Sequence, residues 1–298
     1  MKKYFKYDNH KEEWEKVLND KIKLEKSNLW KDKLTLDSWR HDKMRNILNP
    51  IINSFPRTKS WLTIGDGRYG SDANFLLSSG LKKVHSSDIS DVLLKIGNKE
   101  GFIKEFSAQN AEDIKFENDS FDFVFCKEAL HHCPRPFIAL DQMFRVCREA
   151  IILIEPRDQK IDNTIFHKIF NYLKNKLSSS NSHFFEEVGN YQYKISSHEL
   201  EKFLLGMHYR FIGTYSLNDY YENGIESIKI DSNDKKEKKI ISRVKFKINK
   251  ADFYTKIRLR NSSIIGAILF KKQPSKDLIK NLSRDGWKIK ELPKNPFI

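Results

Sequence analysis

Gly65, Gly67 and Gly70 are three of the twelve glycines in 298 residues, and they fall within six positions of Ser60-Trp-Leu-Thr-Ile-Gly-Asp-Gly-Arg-Tyr-Gly70. A chain this sparing of glycine needs a local reason for such a cluster. Only glycine lacks the Cβ that blocks close approach of backbone to a bound group, so the run suits a tight strand-to-helix turn beneath a nucleotide-type ligand. An acid, Asp88, ends the next apolar stretch in His85-Ser-Ser-Asp-Ile89, where a carboxylate can accept both hydroxyls of a ribose. Asn110-Ala-Glu-Asp113 and Phe121-Asp-Phe-Val-Phe-Cys-Lys-Glu-Ala-Leu-His-His132 bring polar groups to the ends of later apolar runs. Among these, Glu128, His131 and His132 are candidates to take a proton from a hydroxyl, and histidine has the pKa best suited to neutral pH. Glu155, in Leu153-Ile-Glu-Pro-Arg-Asp158, is placed either to orient a substrate hydroxyl or to cap the chain's exit from a sheet. His131, His132 and the cysteines at 126, 133 and 147 lack the spacing to converge on one ion, so no metal is expected.

These groups need elements to position them. Ser60–Ile64, Lys82–Ser87, Gly101–Phe106, Phe121–Phe125 and Ile151–Ile154 read as strands. Ser71–Ser79, Asp91–Ile96 and the stripe Phe137, Leu140, Phe144, Cys147 read as helices between them. Such alternation predicts an α/β fold with a parallel sheet and right-handed crossovers. Residues 10–55 read as helical, with Trp14, Val17, Leu18 and Ile22 on one face and a second pattern from Leu36 to Ile52. Beyond residue 156, Ile165, Phe166, Ile169 and Phe170 suggest a helix, Ser196-x-x-Glu199 is a capping box, and His208–Tyr215 and Ser263–Lys271 read as strands. The expected organisation is a helical segment at 1–57, a catalytic domain at 58–216 and 263–272, an insertion at 217–262 and a C-terminal extension at 273–298.

In the order and spacing of four blocks the chain resembles class I S-adenosylmethionine-dependent methyltransferases, of the small-molecule group that includes ubiquinone- and menaquinone-biosynthesis enzymes. The blocks are Leu62-Thr-Ile-Gly-Asp-Gly67, Ser87-Asp-Ile89, Asn110-Ala-Glu-Asp113, and Asp119-Ser-Phe-Asp-Phe-Val-Phe125 with Leu130-His-His132. The resemblance spans residues 58–160. It implies a Rossmann-like sheet, mostly parallel with an antiparallel last strand, and S-adenosyl-L-methionine as cofactor. Gly65 and Gly67 would line the methionine part, Asp88 would hold the ribose, and Ala111 and Glu112 would flank the adenine. Gly70, Ile89, Asn110 and Cys126 are further candidate cofactor-binding residues. Where the family carries an acid, this chain has Thr63, and where it carries its last glycine, this chain has Tyr69. Asp66 is the residue that would replace the missing carboxylate. Methyl transfer to a small-molecule hydroxyl is the expected reaction. The alternatives are an NAD(P) oxidoreductase, for which Tyr172-x-x-x-Lys176 is a chance-prone match, and a degenerate interaction protein on the same fold.

Composition narrows the partners. The net charge of +14 (54 minus 40) is uneven. Residues 61–160 carry 13 basic and 16 acidic side chains, whereas residues 235–272 carry 13 and 2. Within the basic segment, Arg243, Lys245 and Lys247 alternate with Val244, Phe246 and Ile248, and Lys256, Arg258 and Arg260 alternate with Ile257 and Leu259. This predicts an inserted basic β hairpin turning at Asn249–Asp252, with Arg243, Lys245 and Arg258 able to meet a phosphorylated or otherwise anionic substrate, a glycan-pathway metabolite or an acidic membrane surface. The near-neutral catalytic half and the lack of a recognisable RNA module disfavour nucleic acid. No apolar run approaches a membrane span, and three cysteines without redox spacing favour a reducing cytoplasm. Aromatics after the fifth strand (Phe166, Phe170, Tyr172, Phe184, Phe185, Tyr191, Tyr193) suit a lid over the acceptor or an added core. Trp39 and Tyr69 are further candidates, for packing on a sulfonium.

Overall fold

Ile151-Ile-Leu-Ile154 has no polar face, and in the computed structural model it lies at the middle of a sheet covered on both sides. The structure describes residues 7–159, 161–162, 185 and 191–297. The expected helix at Ile165–Phe170, Tyr172, Lys176 and Phe184 lie outside the described residues.

Five parallel strands, β1 (Ser60–Ile64), β2 (Lys83–Asp88), β3 (Glu105–Ala108), β4 (Phe121–Lys127) and β5 (Cys147–Pro156), are joined by helices α5 (Ser71–Ser78), α6 (Val92–Lys99) and α7 (Pro136–Val146). The antiparallel part comprises β6 (Phe211–Leu217), β7 (Ile264–Phe270) and β8 (Lys288–Glu291), and the order across the sheet is β3-β2-β1-β4-β5-β7-β6-β8. Chain direction across the sheet reverses between β1 and β4, and ligands on open α/β sheets bind at the strand ends beside such a reversal. The third strand starts later than expected. Gly101 has φ +76° and turns the chain out of α6, so Ile103 packs beneath Gly70 before pairing begins.

One face of the sheet packs on α3 (Leu36–Arg45), α4 (Asn49–Ser54), α5 and α10 (Lys276–Arg284), through Ile47, Ile51, Leu76 and Leu282. The other packs on α7 and α8 (Ser197–Gly206), through Leu140, Phe144, Leu200 and Leu204. The capping box forms as expected, with the Ser196 hydroxyl and the Glu199 carboxylate satisfying each other's backbone amides. Before the sheet, α1 (Tyr7–Asn19) and α2 (Lys21–Asn28) precede α3, so the N-terminal segment is helical. The C-terminal extension is not peripheral: α10 enters the core and β8 pairs along β6.

The inserted hairpin is not present. Residues Lys235–Lys256 form one helix, α9, whose first amides are capped by Asp234. Val244 and Ile248 belong to a stripe Ile241, Val244, Ile248, Ala251 that recurs every three or four residues and is buried against Leu36 and Ile225. Phe246, which fits a two-residue alternation, is 65% exposed. Six residues of accidental alternation concealed a helical period that runs across the whole segment.

Candidate active site

A cavity of about 540 Å³ opens at the carboxyl ends of β1, β2 and β4. Its floor is the glycine turn. Gly65 has φ +73°, and a Cβ there would fall 2.1 Å from that of Ala129. A Cβ on Gly67 would fall 2.8 Å from Asp88 Oδ2 and 2.8 Å from Trp14 Cζ2. Gly65 is thus required by backbone conformation and space, whereas at Gly67 a side chain would have to displace Asp88 or Trp14. Asp88 is buried at the cavity edge, and its Oδ1 accepts the Ser90 amide at 3.1 Å. Burial pushes its carboxyl up to about 6, against the lowering effect of amides from Ser90, Gly67 and Ile89. Ile89, Asn110, Ala111, Glu112 and Cys126 line the same end. Asn110 Oδ1 accepts the Glu112 amide at 2.9 Å and shapes that loop. Burial raises the Cys126 thiol far above its usual range, so it is neutral there.

This end fits a nucleoside: a turn whose Cβ-free backbone leaves room, and a buried carboxylate with acceptor capacity beside it. Gly65, Gly67, Asp88 and Ile89 are the residues that would hold S-adenosylmethionine.

Asp66 also lines the cavity, while its carboxylate accepts the amides of Asp72 and Ala73 at 2.9 Å each, and the hydroxyls of Thr63 at 2.8 Å and Ser86 at 3.0 Å. It thereby anchors the start of α5. Burial, then the charge of Asp72, push its carboxyl above the usual range. Gly70, at φ +75°, packs on Ile103 and Ser86 rather than lining the cavity. Tyr69 is fully buried, with its hydroxyl 2.7 Å from that of Ser27 and Lys31 over its ring, while Trp39 packs toward α9. Neither faces the cavity. Phe185 and Tyr191 are exposed and pair with each other in an isolated bridge.

Glu155 is 1% exposed and lies behind the cavity wall. Its Oε1 accepts the amides of Ala129 at 3.0 Å and Leu130 at 2.9 Å, and its Oε2 lies 2.7 Å from His131 Nδ1. Burial opposes its charge, but these bonds hold it below the usual carboxylate range. Glu155 and His131 thus brace the turn after β4, and neither lines the cavity. His132 and Glu128 do line the cavity. Glu128 has φ +49°, a left-handed conformation uncommon for a non-glycine residue and characteristic of functional loops. Arg243 pairs with Glu222, Lys245 lies over Trp39, and Arg258 follows the end of α9; none of the three lines the cavity.

The other end of the cavity is built by residues not singled out from sequence. Asp37, His41 and Arg45 project into it from α3. Their spacing of four is one polar stripe, the signal that sequence offered. His41 Nδ1 lies 3.2 Å from Lys127 Nζ and 3.4 Å from Glu128 Oε2. Arg45 Nε donates to Asp72 at 2.7 Å, and Arg68 Nη1 lies 3.3 Å from His41 Nε2 with its guanidinium over Trp30. Burial first, then the cations of Lys127, Arg45 and Arg68, hold the His41 imidazole well below its usual range, so it is neutral at pH 7. Above the floor lies α1. Tyr7 donates to Glu112, which also accepts the Arg135 amide at 2.8 Å, and Trp14 meets Trp30 edge to face at 6.1 Å.

A family model described as a methyltransferase domain matches residues 62–154, the span that carries the floor of the cavity and the turn after β4. No protein with a curated description matches the sequence. Among solved structures, the chain is similar to YcgJ of Bacillus subtilis at 18% identity, covering 77% of this chain and 99% of that one, with a TM-score of 0.47. It is similar to magnesium protoporphyrin IX methyltransferase of Synechocystis, determined with bound S-adenosylhomocysteine (14% identity, 58% and 75% covered, TM-score 0.42). It is also similar to phosphoethanolamine N-methyltransferase 2 of Haemonchus contortus (14%, 75% and 52%, TM-score 0.42). With the domain match, the oxidoreductase alternative falls away. Over residues 62–154, the chain matches a methyltransferase domain.

Proposed function

We propose that the protein methylates a hydroxyl of a small polar molecule held between α3 and the turn after β4. The observation that carries this reading is the group of titratable side chains His41, Lys127 and Glu128, within 3.5 Å of one another at the end of the cavity away from Asp88. S-adenosylmethionine, when bound, supplies a methyl group already activated on a sulfonium. The residues at the far end then orient the acceptor and take up its proton. Neutral His41 is available as that base at pH 7, and Glu128 at 3.4 Å offsets the positive charge that it gains. Lys127, Arg45 and Arg68 against Asp37, Asp72 and Glu128 leave this end near electrical balance. That favours a polar acceptor over a multiply charged one.

The test is turnover of a panel of phenols, hydroxy acids and sugar hydroxyls, with S-adenosylhomocysteine affinity measured alongside. His41→Gln and Glu128→Gln are expected to lower kcat by about 10²–10⁴-fold, with cofactor affinity within about twofold of the parent protein. Full activity in both variants would refute the assignment of the base.

A further inference from the structure

α9 has two faces. Ile241, Val244, Ile248 and Ala251 are buried against α3. On the opposite side Phe246 (65% exposed), Phe253 (56%) and Ile257 (46%) follow at spacings of seven and four, which places them on one line along the helix. Leu259 is exposed just beyond. Lys239 and Lys250 fall along the same line, and Arg243 and Lys247 lie beside it, all on exposed positions. The helix holds nine basic and two acidic residues. Among the described residues, Arg243 is the one basic side chain of α9 in an ion pair with an acid. A solvated helix face needs neither exposed phenyl rings nor this much unneutralised charge. Large apolar side chains in line, bordered by long cationic ones, are the pattern of a helix lying in the plane of a bilayer, its rings among the acyl chains and its ammonium groups at the headgroups.

We propose that α9 docks the protein on an anionic lipid surface. Two observations favour lipid over nucleic acid. The outward line ends in aliphatic Ile257 and Leu259, which offer nothing for a base to stack on. The cations also share the exposed apolar face of one helix rather than forming a groove for a phosphate backbone. No helix among the described residues is long and apolar enough to cross a membrane, so the attachment is peripheral. The docking face is one helix away from the cavity: Leu36 and Trp39 of α3 pack toward α9, while Asp37 and His41 of the same helix line the acceptor end. Docking would hold that end close to the headgroup layer.

The test is flotation of the full chain with vesicles of phosphatidylcholine alone or with about one-third phosphatidylglycerol. Binding is expected only to the anionic vesicles, and salt should weaken it. Replacing Lys239 and Lys250 by Gln should weaken it by roughly fivefold per lysine. Phe246→Ser with Phe253→Ser should weaken it at least tenfold even at low salt. Both rings are exposed, so an unchanged melting curve and unchanged S-adenosylhomocysteine affinity are expected and separate loss of docking from loss of fold. Failure to float with anionic vesicles, equal binding by the phenylalanine variant, or tighter binding to single-stranded RNA than to the vesicles would each overturn the proposal.

Discussion

Asp88 is the residue whose chemistry is most fully determined by its surroundings. Its carboxyl has a pKa raised to about 6 because it is buried, with amides from Ser90, Gly67 and Ile89 as partial compensation. Raised above its unfolded value, it contributes stability that is complete below pH 3.8 and is lost as pH rises through about 6. With Asp88 as the proposed ribose contact, ligand binding has the opposite sign, because ribose hydroxyls would donate and so favour the charged carboxylate. Affinity for S-adenosylhomocysteine should therefore be flat above pH 6 and fall by up to roughly tenfold per unit below it. Calorimetry at pH 5, 6 and 7.5 measures this, and Asp88→Asn should bind more weakly with the slope abolished. Gly65, Gly67 and Asp88 line the cavity at the turn that their spacing marks in the sequence. Asp66 and Glu155 were legible as acids at strand ends, but not in their direction. Each carboxylate accepts backbone amides from a neighbouring turn, and only the folded path of the chain decides whether such a group faces inward.

At the scale of elements, the strands of the parallel sheet could be placed from sequence, since runs such as Ile151–Ile154 have a single compatible environment. α9 was misread because alternation over six residues fits a strand as well as it fits part of a helix. The period that decides lies over 241–251. α3 posed another difficulty. Its cavity stripe Asp37, His41, Arg45 reads as an ordinary charged helix face until the sheet supplies Lys127 and Glu128 opposite. The C-terminal elements carry more of the fold than their position in the chain suggests. Leu282 of α10 is fully buried in the main core, and Trp287 donates its indole N–H to the Ile47 carbonyl at 3.2 Å. Leu282→Ala should cost about 2–5 kcal/mol in denaturant unfolding. A cost under 1 kcal/mol would mean that the extension folds separately from the sheet.

Across the whole molecule, the cavity is assembled from three separate stretches of chain. The methyltransferase domain supplies the floor, α3 supplies the acceptor end, and α1 lies over the cofactor end. The domain match covers the first of these and neither of the others, so cofactor use was the most readable property and acceptor recognition the least. The position of Trp14 has one more consequence. Its ring occupies the space directly beside Gly67 and Asp88, and Tyr7 and Arg135 tie the same region down through Glu112. A nucleoside held at Asp88 would lie against that indole. The protein thus contains its own optical reporter of occupancy. Mixing with S-adenosylhomocysteine in a stopped-flow fluorimeter should change tryptophan emission, and Trp14→Phe should abolish most of the signal despite the four tryptophans that remain. An emission trace that recovers at the pace of steady-state turnover would show that release of the spent nucleoside, rather than the chemistry, sets the overall speed.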